Sequence, residues 1–426
     1  LRLSFHSGQS DKERIKQIKE FLRLEKEMLL RYHQKGDSGL RLTRSRAVIL
    51  DVLIQNLFDY AIKVAKESMG KVKPMCVLAT GGYGRGELSP HSDIDLMFLY
   101  PRASMGNSLD ILKETITREI LYPLWDTGLK VGHASREVKE ALVESQKDIR
   151  NKNSMLDGRF LCGDRKIAQK FIEKFHKFCR RNNPSEYLKE LLLHQQKRRL
   201  EKGSTVFLQA PDVKNGVGGL RDYQGILWMT KVKFDKHGLD GLVKKKYITE
   251  QEANSLEEAY SFLLRVRNEL HFRSKRPVDI LHLEKQPEVA LGLGYQEEDI
   301  FRRVELFMGD YYSRARTINQ LSGILEQRLV HASSGSTSSI SFKNVIKAYQ
   351  SLPTQIVDGF DLTAQQLSTQ NPQLFDEDPE RLIRLFRHSQ RLSAKLSPDL
   401  RSLVRNRLSL IDSNLINSQS ANVTFR

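Results

Sequence analysis

Apolar residues recur at three- and four-residue spacing through two early stretches of the chain, which predicts two amphipathic helices. The first covers about 11–34, with Ile15, Ile18, Phe21 and Leu22 on one side. The stretch 35–43 (KGDSGLRLT) reads as a loop. Thr43 or Ser45 then opens a second helix to about 67, with Ala47, Leu50, Leu53, Ile54, Leu57 and Ile62 as its stripe. The pattern then becomes mixed. Strands are expected at 75–79, 93–100, 130–134 and 155–161, the last running on to Gly163 and Asp164, with helices at 108–126 and 136–146. This alternation predicts an α+β domain around a small mixed sheet.

Beyond it the chain reads as mostly helical. Residues 165–201 are helical and strongly basic, and 249–275 and 298–329 carry apolar residues at helical spacing. Between them lies a Gly-rich loop with an apolar run behind it. Residues 332–341 (ASSGSTSSIS) are small and polar, the composition of a linker. Helices are expected again at 342–352, 379–392 and 398–411. The predicted segments are therefore 1–70, 71–165, 166–331, a linker at 332–341, and a helical end at 342–426.

A chain of 426 residues has room for two or three domains with their own cores. Hydrophobic content of 39% and charged content of 28% are ordinary for a soluble globular protein. The net charge of +17 is not, and suits an anionic partner such as a triphosphate, an acidic protein or nucleic acid. Cys76, Cys162 and Cys179 are too widely spaced for a zinc pattern or a disulfide framework, which fits reduced thiols in a cytoplasm. No run of ~20 apolar residues is present to span a membrane.

The chemistry concentrates in 77–100, VLATGGYGRGELSPHSDIDLMFLY. Side chains alternate along a strand, so Asp93 and Asp95 fall on one face. Adjacent carboxylates repel unless a cation lies between them, and hard divalent ions such as Mg²⁺ (or Mn²⁺) commonly arrive with a polyphosphate. The turn at Gly81 and Gly82 lets backbone approach phosphates without an intervening side chain. A site for two metal ions and a nucleoside triphosphate follows, with Asp93 and Asp95 holding the ions, in-line attack by an acceptor hydroxyl on the α-phosphorus and loss of pyrophosphate. Arg85 suits phosphate oxygens. Ser89 and Ser92 either donate to phosphate or cap the local turn. Asp157, a charge within an apolar strand, is the expected third metal ligand, with Asp164 as its rival. The second Gly loop, with Lys214, Gly218, Gly219 and Arg221, has a basic flank able to close over the triphosphate or the base.

GGYGRGEL-x-P-x-SDIDL resembles the nucleotidyltransferase motif of the bacterial PII-protein uridylyltransferases, the glutamine-responsive enzymes of nitrogen control. PDVKNGVGGLRDYQGILWM resembles that family's second block, and SFLLRVRNELHF and RVELFMGDYYSRAR its helical blocks; GRFLCGDR and WDTGLKVGHASRE also fit. The resemblance implies a polymerase-β-like nucleotidyltransferase domain, with the first helices packed on it, followed by a mostly helical substrate-binding domain. It further implies UTP as donor and a tyrosine of the signalling protein PII as acceptor, with Gly81, Gly82, Asp93 and Asp95 as nucleotide and metal residues. Asp157 carries over on its place in the third strand. Members of the family continue into a phosphohydrolase domain opened by a His-Asp pair and then into two ACT domains. None of the 11 histidines here precedes an Asp, so neither removal of UMP nor glutamine sensing by ACT domains is expected of this chain. The competing expectation is an enzyme of the same superfamily acting on RNA or on another protein. The charge favours RNA; the helical blocks and the absence of a recognisable RNA-binding module favour PII. A silent regulatory module is the third reading, and the two retained carboxylates argue against it.

Overall fold

A computed structural model describes residues 3–331 and 355–421, apart from 7, 101–106, 182–183, 204, 235–237, 275, 364–365, 393 and 419–420. The chain divides into two compact units, Leu1–Glu326 and Gln327–Arg426. The predicted linker at 332–341 and helix at 342–352 lie outside the described residues.

The first unit is built on a four-stranded mixed sheet in the order β3-β2-β1-β4. Its strands are β1 (Cys76–Ala79), β2 (Ile94–Tyr100), β3 (Val131–Glu137) and β4 (Arg159–Gly163). β1 pairs antiparallel with β2 and β4, and β2 runs parallel to β3. The α+β class is borne out. Helix Gly39–Met69 lies across the sheet: Leu50, Leu53, Ile54 and Leu57 join Val77, Ala79, Leu96 and Phe98 in one core. This is the stripe whose period marked the helix.

The first helix, Asp11–Gln34, starts at a capping box in which Ser10 and Glu13 satisfy each other's backbone amides. The second begins earlier than expected. Ser38, not Thr43 or Ser45, caps it by accepting from the Arg41 amide, and Gly39 is its first residue. Gly39 meets the helix Glu250–Arg273 so closely that a Cβ would fall 2.3 Å from the Ser261 carbonyl oxygen. Buried pairs tie the early helices further: Arg46 donates to Glu25 at 2.7 Å and Arg14 pairs with Glu119 at 2.6 Å.

Two expectations need correction. The expected strand at 155–161 is two elements, a helix Ile149–Leu156 followed by β4. Met155 and Leu156 are buried because they close the helix, not because they alternate along a strand. The basic stretch 165–201 is helical as expected, in two helices, Arg165–Arg181 and Pro184–Glu201, with Pro184 at the start of the second, where its missing N–H costs nothing. The end expected to be helical carries a second four-stranded sheet, β5 (Gln355–Val357), β6 (Phe360–Thr363), β7 (Gln366–Ser368) and β8 (Lys395–Leu396). Phe360, Leu367, Phe375, Leu382 and Leu385 form that unit's own core. Asp358 and Gly359 turn the first hairpin with φ of 53° and 85°, the pair of positive values that a two-residue type I′ turn demands.

Replacing Gly39 by Val should destabilise the first unit by about 1–3 kcal/mol, because two helix backbones must separate. Urea unfolding followed by circular dichroism checks this; an unchanged midpoint contradicts the close contact.

Candidate active site

Two cavities lie at one end of the first unit's sheet and share a wall of Gly82, Arg85, Asp95 and Arg221. The first, about 390 Å³, is completed by groups of helix Ile149–Leu156, helix Pro184–Glu201 and Trp228. The second, about 380 Å³, is completed by Asp93, Lys214, Tyr260, Arg267 and Asp279, among others. Both volumes suit a small ligand.

The Gly-Gly turn follows β1 directly. Gly81 has φ +57°, and a Cβ on it would fall 2.8 Å from Oδ2 of Asp95. Gly132 on β3 is equally close, 2.8 Å from Oδ1. Asp95 therefore projects from the inner strand β2 into space that only glycines leave open. Thr80 precedes the turn without a side-chain cap, so the first amides of Gly81–Gly84 have no partner within it. Asp93 lies one residue before β2 and is exposed; Asp95 is half-buried. Both line the second cavity, as two side chains of one strand face must. Burial, and then the charge of Asp93, push the Asp95 carboxyl above its ordinary range, while Lys214, Arg221 and Arg85 oppose the shift. That is the electrostatic signature of a site wanting a cation. Among the described residues no three His, Cys, Asp or Glu side chains gather to hold a metal. Two carboxylates with open space around them fit a hard divalent ion that draws its other ligands from substrate and water.

Asp157 does not complete the pair. It lies at the C-terminal end of helix Ile149–Leu156, fully buried, and its carboxylate is already committed. Oδ2 accepts from Arg85 Nη1 at 2.6 Å and from Trp228 Nε1 at 2.9 Å; Oδ1 accepts from Lys231 Nζ at 2.9 Å. A carboxylate saturated by two cations and an indole N–H has little left for a metal. Asp164 lies beyond β4, where its backbone amide donates to the Met75 carbonyl and its side chain accepts from the Lys166 amide at the start of the next helix.

Arg85 is buried between Asp157 and Glu87, its Nε donating to Glu87 at 3.1 Å. Burial alone would lower its pKa, but Asp157 and Glu87 more than offset this and raise it. Glu87 also accepts from Tyr260 at 2.6 Å. Ser89 and Ser92 both face Arg267, whose Nη1 lies 3.3 Å from each hydroxyl oxygen while its Nε donates to Asp279 at 2.7 Å. These serines thus secure the loop before β2. Lys214 lines the second cavity, 3.7 Å from Asp279, and burial, then Arg267, lower its pKa. Arg221 is the most exposed to unbalanced charge. Burial, then Arg85 and Arg267, lower it to about 10. Among the described residues it has no ion-pair partner; it donates to Gln224 and stacks over Trp228, 5.5 Å from the ring centre.

Gly218 and Gly219 line neither cavity. Gly218 has φ +71°, and a Cβ there would fall 2.1 Å from the Ala315 carbonyl oxygen, so the second loop's glycines let it pack against helix Ile300–His331. Buried Asp222 holds that loop by accepting from Gly218 N–H at 2.8 Å, from Arg199 at 3.0 Å and from Arg198. The basic flank therefore reaches the cavities while the glycines do not.

Sequence reasoning missed Arg150, Asn151, Asn153, Ser154 and His194 in the first cavity and Tyr260, Arg267 and Asp279 in the second. The polar run RNKNS at 150–154 was a usable signal, since five polar residues before an apolar pair are unusual for a strand. For Arg267 and Asp279 no local signal exists, because each joins the site through another element.

Residues 63–152 match the family model described as a nucleotidyltransferase domain, and 186–326 that described as GlnD PII-uridylyltransferase. Curated relatives carry the name bifunctional uridylyltransferase/uridylyl-removing enzyme. One from Bradyrhizobium sp. strain BTAi1 is 31% identical over 397 residues, covering 92% of this chain and 42% of the relative. One from Azospirillum brasilense is 30% identical over 403 residues, 94% of this chain and 42% of its own length. One from Caulobacter vibrioides is 30% identical over 390 residues, 89% and 40%. The chain thus spans about two fifths of the length of these relatives. The sheet with its glycine turn and paired acids is a nucleotidyltransferase domain. The helical region behind it narrows the likeness: residues 186–326 match the PII-uridylyltransferase model, and 92% of the chain is similar to part of a bacterial uridylyltransferase/uridylyl-removing enzyme. Among the described residues no helix is long and apolar enough to cross a membrane.

Asp157 and Asp95 should respond oppositely to amidation. Asp157→Asn leaves Lys231 without its counter-ion and Arg85 with Glu87 alone, and should cost about 3 kcal/mol or more in denaturant unfolding. Asp95 holds its proton more tightly folded than unfolded, so its ionisation lowers stability as pH rises through the raised pKa. Asp95→Asn should melt above the wild type at pH 7 in metal-free buffer. The gap should close as pH falls below about 4, where the unfolded carboxyl is protonated too. Calorimetry across pH checks the sign; a variant less stable than wild type at pH 7 contradicts it.

Proposed function

We propose that this chain transfers UMP from UTP to a tyrosine hydroxyl of a PII-type signalling protein. The observation that carries the reading is the Asp93–Asp95 pair beside the uncapped Gly81–Gly84 turn, with Arg221, a cation that has no ion-pair partner among the described residues, on the same wall. The names of the curated relatives supply uridylyl as the group, and the description of the matching family model supplies PII as the acceptor.

Asp93 and Asp95 would hold a divalent cation, Mg²⁺ or Mn²⁺, which when bound neutralises phosphate charge and acidifies the acceptor hydroxyl. The chain's own groups do the rest. The turn amides and Arg221 bind phosphate oxygens and stabilise the charge that grows on the leaving pyrophosphate. Arg85, pinned by Asp157, keeps a fixed cation on the wall between the cavities. The acceptor oxygen forms a bond to the α-phosphorus as the bond from that phosphorus to the bridging oxygen breaks. Pyrophosphate leaves and the hydroxyl proton passes to solvent. Catalysis of this kind is mainly positioning and charge stabilisation, which rigid surroundings supply.

Purified PII incubated with this chain, Mg²⁺ and each of the four nucleoside triphosphates should gain the mass of UMP with UTP alone. Asp95→Asn should slow transfer by about a thousandfold or more, as several kcal/mol of charge stabilisation are lost. Equal mass gain with all four nucleotides, or an active Asp95→Asn, rejects the reading.

A further inference from the structure

The two cavities differ in chemistry. In the first, Arg85, Arg150, Arg198 and Arg221 face a single lining carboxylate, Asp95. The partners that balance three of them, Asp148, Asp157 and Asp222, stand behind the wall and are not part of the lining. The rest of that surface is amide, hydroxyl, imidazole and indole: Asn151, Asn153, Ser154, His194 and Trp228. Burial, then Arg198 and Arg150, lower the pKa of His194, so it stays a neutral donor and acceptor at pH 7. A cationic space with an aromatic face and neutral donors and acceptors matches a nucleoside triphosphate.

The second cavity is balanced. Arg85, Lys214, Arg221 and Arg267 are met by Glu87, Asp93, Asp95 and Asp279, all of them lining groups. Its apolar surface comes from Leu220, Leu264 and Pro277, with the Tyr260 ring beside them. A nucleic-acid backbone entering here without a cation of its own would meet those carboxylates. An uncharged hydroxyl-bearing side chain would not. The two spaces touch at Asp95 and Arg221, where attacking and leaving groups must lie on opposite sides of one phosphorus.

We infer that the two cavities are separate substrate sites: the Arg150–His194 cavity takes the nucleoside triphosphate, and the Tyr260–Pro277 cavity takes the neutral hydroxyl side chain of a protein acceptor. This rests on the nucleotidyltransferase reading and divides its site in two. It makes Arg150 and His194 nucleotide-binding residues and Pro277, exposed at the rim, an acceptor-specificity residue.

The test begins with nucleotide alone. UTP with Mg²⁺ should protect amides of 149–156 and 194–198 from hydrogen exchange and leave 260–279 unchanged. Arg150→Glu should weaken UTP binding by calorimetry about tenfold or more, with the acceptor KM unaltered. Pro277→Trp, a rim change compatible with folding, should raise the PII KM about tenfold and leave UTP affinity as it was. Protection confined to 260–279, the reverse pattern in the two variants, or faster transfer to an RNA end than to PII overturns the assignment. A chain that binds no nucleotide anywhere fails differently, since it removes the nucleotidyltransferase reading itself.

Discussion

A buried carboxylate joins the parts of the site that must not move. Asp157 accepts from Arg85 of the glycine turn and from Trp228 and Lys231 of helix Leu220–Phe234. Its own backbone carbonyl packs so tightly on Gly84 that a Cβ there would fall 2.2 Å away. One residue thereby sets the distance between the sheet that carries the paired acids and the helical region that carries the basic loop. Taken singly, a buried ion pair adds little net stability. Its value here is geometric, because the wall between the cavities is built from the groups it orients.

Around that fixed wall the charges are arranged in tension. Asp95 feels the like charge of Asp93, and Arg221 those of Arg85 and Arg267, and among the described residues neither has an ion-pair partner. Both strains are of the sign that a cation and a polyphosphate relieve. Perturbed groups of opposite sign sharing one cleft are what an anion–metal substrate site requires. The glycines at 81 and 132 belong to the same design, since any side chain there would occupy the space beside Asp95.

Much of this site was legible locally. Asp93, Asp95, Gly81 and Gly82 lie within fifteen residues, on a strand, a turn and a strand whose periods are plain, so their common face follows from backbone geometry. Asp157 was legible as a charge in an unusual place but not in its role. The reason is that its partners come from positions 85, 228 and 231, and no local pattern ties them to it. The second hairpin of the chain was missed for a simpler reason: the Asp358–Gly359 turn signal was present, but the flanking strands have three and four residues, too few for alternation to register.

The sequence by itself determined the strand–turn–strand segment, the helical stripes that cover the sheet, and the family motifs, because each depends on neighbours within a few turns of backbone. Tertiary structure alone decided which cations stand free and which are neutralised. It divided the basic loop into glycines that pack on Ala315 and side chains that reach the cleft, and it separated one cationic cavity from one balanced cavity. Those outcomes depend on Coulomb interactions over a few ångströms between residues far apart along the chain. Spacing in sequence carries no record of such distances.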